Sequence, residues 1–412
     1  MNAAGPSRYR FIILLITVLV IFGCLGFGRY GYTATLPFIQ KSFGLDNFQA
    51  GAFATANLVG YLLMAVCGGA LASHAGPRRV VALGTLLGGL GLLYTGLSRD
   101  LTDLALSRFL TGLGGGATNM GAMGLLAAWF PPRERGFATG VGIIGSSLGL
   151  IVAGPLAPRI SLHFGPEGWR LCWYGYAGLT LLFALVAALY IRNRPPVNLA
   201  DNGTPEATAP VKLKKIYLSA RVWHIGLVYI AFGFSYMIYL TFYTKHLITG
   251  LGFSPIRAGN YFMFTGCCSV FCGVIWGTVS DRIGRKRALI IVYLLQAAAY
   301  LLMALAQGPV LALLSSLLFG LTAFSIAAIM AALCGDLFGH RSAAATLGFI
   351  TLFFGLGQAT SPSIAGYLAN TTGSFVFSYL LAAGASMAGA LGALTLADTP
   401  LPDKQCRETV IL

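Results

Sequence analysis

From Phe11 to Phe27 the chain runs through an almost unbroken apolar stretch and then meets Arg29. Comparable stretches recur along the whole length, centred near residues 23, 62, 88, 116, 147, 181, 234, 269, 296, 322, 357 and 386. Short polar connections carrying most of the charge separate them. A helix of about 20 apolar residues spans the hydrocarbon of a bilayer. Lipid offers backbone groups no water to bond, so a crossing segment is a helix or a strand of a closed barrel. Barrel strands run to about ten residues and alternate apolar with polar. Phe11–Phe27 and Leu179–Tyr190 are longer and apolar on most faces. The pattern therefore predicts an all-α membrane protein with twelve transmembrane helices.

One polar interval is much longer than the others. Residues 191–223 contain clustered prolines and lysines and divide six spans from six, as a cytoplasmic linker would. The expected organisation is an N-terminal six-helix bundle (1–190), the linker (191–223), a C-terminal six-helix bundle (224–398) and a cytoplasmic tail (399–412). The halves also repeat at a constant offset of 208. Gly44 and Gly51 match Gly252 and Gly259, Gly69 matches Gly277, Gly76 matches Gly284, Gly112 matches Gly320, and Gly149 matches Gly357. One register held across five spans predicts two pseudo-symmetric bundles, an arrangement that usually places a binding site at the repeat interface.

Composition supports the same class. Apolar residues make up 57% of 412 positions and charged residues 9%, with a mean hydropathy of +0.77. A soluble domain would carry roughly 25% charged residues. The net charge of +15 does not point to nucleic acid, because the basic residues are sided. With the N-terminus inside, nineteen of the 27 lysines and arginines fall in cytoplasmic stretches and six on the opposite side. The positive-inside rule then puts both termini in the cytoplasm of a multi-pass protein, expected in a cell inner (plasma) membrane. The basic Met1–Arg10 leads directly into the first span and has no small-residue cleavage site, so it is read as part of that span. Eight cysteines are scattered, and Cys267, Cys268 and Cys272 lack a histidine or acidic companion in their helix. They read as packing residues, and no metal or cofactor is expected.

A loop motif follows the second span of each half. In the second it reads GTVSDRIGRKR, with Gly277, Asp281, Arg282, Gly284, Arg285, Lys286 and Arg287; the first has GALASHAGPRR, with Ser73 and His74 in place of the Asp-Arg pair. The two copies, the six-plus-six layout and the RxxxG of Arg108–Gly112 resemble the major facilitator superfamily over nearly the whole chain. That resemblance implies two bundles rocking around a central cavity that opens to one side at a time. Asp281, Arg282 and Arg285, with Asp336, are then candidates for an ion-pair latch at the cytoplasmic gate. The other reading is a tight turn carrying topogenic charge, which leaves Asp281 unexplained. The resemblance links Arg108 to coupling or internal hydrogen bonding.

Charge inside the spans is the most informative chemical feature. All twelve acidic residues fall in loops or at helix ends, whereas Arg29 and Arg108 lie within spans. Such residues cost about 2.5–3.5 kcal/mol on insertion scales and are functional candidates. Arg29, Tyr32, Thr33 and Leu36 would form one stripe of an α-helix. A guanidinium with no acid at its depth suits a substrate carboxylate, or else is held permanently by hydroxyls and carbonyls. Span seven offers an aromatic-polar face of Phe232, Ser235, Tyr236, Tyr239, Phe242 and Tyr243. Further substrate-binding candidates are Asn57, Tyr61, Asn119, Tyr261, Thr265 and Gln358, each alternatively an interhelical hydrogen-bonding group. Lys245 and His246 are expected at the outer mouth of span seven as interfacial anchors, with His246 also a candidate proton relay.

These features predict a secondary active transporter for a small organic anion, plausibly a monocarboxylate, working as a monomer with protons as a candidate co-substrate. GRYGYTATLPFIQ in span one and Gly168-Trp169-Arg170 look similar to bacterial organic-anion- and monocarboxylate-porter-like branches. The alternative is a proton-coupled exporter of drugs or other hydrophobic compounds, for which the missing mid-span carboxylate disfavours cationic substrates. A membrane sensor would need an added signalling domain, for which the linker and the tail look too small, and an enzyme would need clustered carboxylates, metal-ligand histidines or a nucleotide loop, none of which the sequence offers.

Overall fold

The computed structural model describes residues 6–131, 134–193 and 218–396. Among them every regular element is a helix. The first span is assembled from α1 (Pro6–Ile21), a π-helical segment (Phe22–Gly31) and α2 (Tyr32–Phe43). There follow α3 (Asn47–Ala75), α4 (Pro77–Leu97), α5 (Leu101–Trp129), α6 (Arg135–His163) and α7 (Gly168–Tyr190). Then come α8 (Ala220–Thr249), α9 (Pro255–Ser269), α10 (Cys272–Ile283), α11 (Arg285–Ala304), α12 (Pro309–Thr322), α13 (Ser325–Thr372) and α14 (Val376–Leu394).

Ten stretches among the described residues are long and apolar enough to cross a membrane. Of the remaining two expected spans, α5 is 29 residues long, but Arg108, Asn119 and its glycines dilute its apolar content. The other lies in the later part of α13. Many large apolar side chains point outward, including Leu83, Leu189 and Val274 at 64%, 64% and 72% exposure. Only a lipid-facing surface tolerates that many.

The backbone divides into two compact units, Met1–Pro210 with Ser254–Met263, and Val211–Phe253 with Phe264–Leu412. Most of the expected linker, residues 194–217, and the tail at 399–412 lie outside the described residues. In the first unit an apolar cluster joins Ile13, Ile16 and Val20 of α1 to Val81 of α4, Leu125 and Leu126 of α5, and Ala187 of α7.

The repeat is visible in the backbone of each unit. Gly44 and Gly252 share a left-handed φ of 66° and 67°, and Gly76 and Gly284 share 84° and 91°. Only glycine enters that region without strain. The packing glycines repeat as well. A Cβ on Gly112 would sit 1.9 Å from the Asn57 carbonyl oxygen, and one on Gly320 would sit 2.8 Å from that of Thr265. Gly149 meets the backbone of Gly26, and Gly357 the backbone amide of Phe234. Asn57 and Thr265, and Gly26 and Phe234, are themselves 208 apart, so the same helix contacts are built twice. Close approach through small residues is the usual way helices associate in lipid.

Two expectations are corrected. Spans ten and eleven were expected to be separated by a loop around Asp336 and Arg341, but α13 runs as one 48-residue helix through it. The segment has no proline before Pro362 and carries the strong helix formers Ala343, Ala344 and Ala345. Span one is not a uniform α-helix: Phe22–Gly31 is π-helical, with i→i+5 hydrogen bonding that changes which residues share a face.

Candidate functional site

In the first unit, the π-helical segment carries Arg29 one position past Gly28. π-bulges are frequent at functional sites because they re-aim one side chain without breaking the helix. The half-buried Arg29 guanidinium lies 4.2 Å from the centre of the Tyr61 ring on α3. Asn119 of α5 donates its Nδ2 to the Tyr61 hydroxyl at 2.8 Å. Asn57 of α3 donates to the Arg108 carbonyl oxygen at 3.1 Å, tying α3 to α5 beside the Gly112 contact. Three sequence candidates, Arg29, Tyr61 and Asn119, thus form one chain of contacts drawn from three helices. A guanidinium over an aromatic face gains about 0.5–2 kcal/mol, and its planar fork of donors matches the geometry of an oxyanion.

The stripe expected along span one is split. Tyr32 is 1% exposed, donates its hydroxyl to the Ala50 carbonyl oxygen at 2.8 Å, and turns its ring to Arg108, 4.6 Å from the guanidinium carbon. Thr33 and Leu36 are buried too. The π-helical turn between Arg29 and α2 removes the i, i+3 alignment that an α-helix would have kept. Arg108 is itself 1% exposed, and its guanidinium carbon is 5.5 Å from the Trp173 ring of α7. Trp173 and Tyr176 were not singled out in the sequence; their spacing of three on α7, aimed at a span with a charge, is the signal that could have found them.

In the second unit, the polar face of α8 is occupied. Tyr239 shares a hydrogen bond with Ser315 at 2.8 Å and Tyr243 with Ser316 at 2.5 Å, both serines on α12. Thr265 of α9 donates to the Tyr243 hydroxyl at 3.3 Å. Ser235 donates back to the Phe232 carbonyl oxygen, and the Tyr236 ring stacks near Phe354 of α13. Ser315 and Ser316 were missed by sequence reasoning because paired serines in an apolar helix resemble packing positions. Tyr239 of that aromatic-polar face is fully buried, and its hydroxyl seats α8 on α12. Gln358 is 1% exposed, and neither amide atom has a hydrogen-bond partner among the described residues. Tyr261, half-buried on α9, belongs to the stretch that clusters with the first unit, where Arg257 lies 6.0 Å from its ring. His246 is not an interfacial anchor: it is 3% exposed, with Nε2 3.4 Å from the Met303 carbonyl oxygen and its ring against Tyr379.

The loop motif of the second unit forms a compact charge cluster. Arg285 pairs with Asp281 through Nη1 and with Asp336 of α13 through Nε at 2.9 Å, and it donates to the Ser280 hydroxyl at 2.6 Å. Arg282 is exposed. At the degraded copy in the first unit, Arg78 instead donates to the Ala188 carbonyl oxygen at the end of α7, and its amide N–H to Asn193. A second cluster joins the start of α7 to α2 and α4. Arg170 pairs with Glu167 and donates to the carbonyl oxygens of Gly96 and Ser98 at 2.8 and 2.5 Å. Ser42 donates to Glu167 at 2.8 Å. The hydrogen bond from Arg170 is the main cause holding the Glu167 carboxyl below its ordinary value of 4.5.

Comparison with known proteins places these features in context. The model of the Major Facilitator Superfamily matches residues 18–353 and, in a second match, 251–409. A probable sulfoacetate transporter of Cupriavidus necator is 24% identical over 404 residues, covering 92% of this chain and 93% of the relative. A putative tartrate transporter of Agrobacterium vitis is 26% identical over 396 residues, covering 90% of this chain and 85% of the relative. Among solved structures, a bacterial homologue of the human lysosomal transporter Spinster, inward-facing and unoccupied, superposes with a TM-score of 0.73 at 17% identity. That match covers 94% of this chain and 95% of the other.

Proposed function

The chain belongs to the major facilitator superfamily, and from that premise we propose that it carries a small organic anion, a carboxylate or close relative, by alternating access. The observation that carries the reading is the Arg29–Tyr61–Asn119 chain of contacts, a half-buried cation held on an aromatic face among neutral hydrogen-bonding groups. Among the described residues, the acids sit at helix ends or in charge clusters, so the interior of the spans favours a negatively charged guest. Asp336, although inside α13, is engaged with Arg285 at the start of α11. The relatives named for sulfoacetate and tartrate transport support the same substrate class.

In this reading Arg29 meets the substrate carboxylate, and Tyr61 and Asn119 fix its orientation. Asn57, Tyr32 and Thr33 shape the helices that present them. Within the second unit, Ser235, Tyr239 and Thr265 brace α8, which carries Tyr236, and Gln358 is a substrate-binding candidate of that unit. Arg285 with Asp281 and Asp336 forms the latch of the cytoplasmic gate. The protein acts as a monomer in an inner membrane, with both termini cytoplasmic.

The test is uptake of radiolabelled small carboxylates into proteoliposomes, comparing the native chain with Arg29→Gln at two pH values. A hydrogen bond to a charged group contributes about 1.5–3 kcal/mol, so kcat/KM should fall about tenfold to hundredfold. A pH dependence of native uptake would assign protons as the co-substrate. Carboxylate uptake unchanged in a folded Arg29→Gln protein refutes the site. A native protein that moves lipophilic neutral compounds but no carboxylate instead supports the exporter reading, for which the stacked aromatic group of Phe232, Tyr236 and Phe354 is the specific observation.

A further inference from the structure

The π-helical segment of span one needs something to hold it. Continuous i→i+5 bonding is rare and occurs mostly as single turns, whereas Phe22–Gly31 keeps it for ten residues. All four of its glycines are closely met by a neighbour. A Cβ on Gly23 would lie 2.9 Å from Thr180 Oγ1 of α7, one on Gly28 3.1 Å from the Thr111 methyl of α5, and one on Gly31 2.9 Å from the Tyr176 ring of α7. Those three contacts are with side chains. At Gly26 the contact is backbone on backbone: a Cβ on Gly149 of α6 would sit 2.2 Å from the Gly26 Cα and 2.7 Å from its carbonyl oxygen. One turn earlier on α6, a Cβ on Gly145 would sit 2.4 Å from the Val18 carbonyl oxygen. It would also sit 2.8 Å from the amide nitrogen of Phe22, where the π-helical segment begins. The α6 backbone is therefore fixed against the first half of the segment with no side chain between them, the way small residues seat helices in lipid.

Arg29 lies three residues past this crossing, and its direction depends on the helical pitch between. A residue of an α-helix turns by about 100° around the axis, whereas an i→i+5 turn holds more residues, so each turns by roughly 80°. From Gly26 to Arg29 the difference accumulates to about 60°. At the outer radius of a helix, about 5–6 Å, such a rotation carries a side-chain end through about 5–6 Å. That exceeds the 4.2 Å between the Arg29 guanidinium carbon and the centre of the Tyr61 ring. The pitch of this one segment therefore decides whether Arg29 meets Tyr61.

We infer that Gly26 and Gly149 are positioning residues for the Arg29 site. Their crossing holds the π-helical pitch of span one and so aims Arg29 at Tyr61, which Asn119 fixes from α5. Through this crossing α6 governs substrate binding without touching the substrate. The bearing on transport rests on Arg29 meeting the carboxylate; the aiming itself does not.

Two measurements on the full chain test this. In protein carrying Arg29→Cys and Tyr61→Cys, a short bifunctional thiol reagent should link the two positions, read as linked peptides by mass spectrometry. Adding Gly149→Ala forces α6 away from Gly26 by roughly 1.3–1.8 Å, since carbon atoms settle about 3.5–4.0 Å apart. Linking should then slow about tenfold or more. Gly140→Ala, on the same helix with nothing within 4 Å of its Cβ position, should leave the rate unchanged. Gly26→Ala is milder, because its Cβ would lie 3.0 Å from the Gly149 Cα. It should slow linking about twofold to fivefold, and it serves even if Gly149→Ala does not fold. The second measurement is a double-mutant cycle on kcat/KM for uptake of radiolabelled lactate into proteoliposomes. Gly149→Ala alone should lower it about tenfold to hundredfold, mainly through KM, as misplacements of this size do. Added to Arg29→Gln it should change it by less than about twofold, whereas a merely structural role lowers uptake by the same factor in both backgrounds. Equal linking rates in the native background, Gly26→Ala and Gly149→Ala overturn the positioning role whatever Arg29 binds. Additive effects in the cycle overturn its bearing on the substrate. Slowed linking together with normal uptake by Arg29→Gln upholds the aiming and refutes only the carboxylate reading.

Discussion

The contact between α3 and α5 allows a quantitative test of how the first unit is held. A Cβ on Gly112 would lie 1.9 Å from the Asn57 carbonyl oxygen and 3.0 Å from the Tyr61 amide nitrogen. A carbon atom approaches a carbonyl oxygen to about 3.3 Å at closest. Gly112→Ala therefore requires α3 and α5 to part by roughly 1.4 Å at this point, and both colliding groups are backbone, which cannot rotate away. Overpacking of a tight interior costs typically 1–3 kcal/mol and occasionally more, and here the upper end is expected. The same displacement would pull on the Asn57 to Arg108 and Asn119 to Tyr61 hydrogen bonds. Gly124, on the same helix, is the control, since nothing lies within 4 Å of its Cβ position. Gly124→Ala should be neutral or stabilising by about 0.5–1 kcal/mol, because alanine suits a helix interior better than glycine. The assay is thermal unfolding in one detergent, read as the difference between the two variants. Equal stability of Gly112→Ala and Gly124→Ala would refute the close-packed interface as the reason for glycine at 112.

Two further outcomes are expected away from the spans' interiors. The carboxyl of Glu167 is held low by Arg170, so its contribution is fully present above its ordinary value of 4.5 and is lost as pH falls through the lower folded value. Glu167→Gln should flatten the acid limb of a plot of melting temperature against pH below about 4.5, and an unchanged limb would show that this pair does not couple to folding. At the other cluster, Asp281 and Asp336 are 59% and 42% exposed, so Asp336→Asn should change stability by no more than about 1 kcal/mol. Transport should change more than stability if the cluster is a latch, measured as uptake rate against melting temperature; a parallel fall in both would assign it a structural role.

What could be read from the sequence was whatever depends on composition and period. Apolar runs of membrane length, the sided basic residues and the register of 208 need no tertiary information, because lipid imposes the same demand on every crossing segment. The repeat even foretold backbone geometry, since Gly44 and Gly252 share one left-handed conformation. Arg29, Tyr61 and Asn119 were identifiable as polar groups in apolar helices, each expensive enough there to need a reason. Their meeting was not legible, because it depends on the rotation of three helices about their own axes. The π-helical turn at Phe22–Gly31 changes that rotation for the first of them and turns Tyr32 toward Arg108 instead. Likewise Tyr239 was legible as part of an aromatic-polar face of span seven, but not that Ser315 would engage its hydroxyl. A side chain's type and depth are local properties that the chain spells out; the partner that satisfies it is set by which helix faces pack together, and that only the tertiary structure decided.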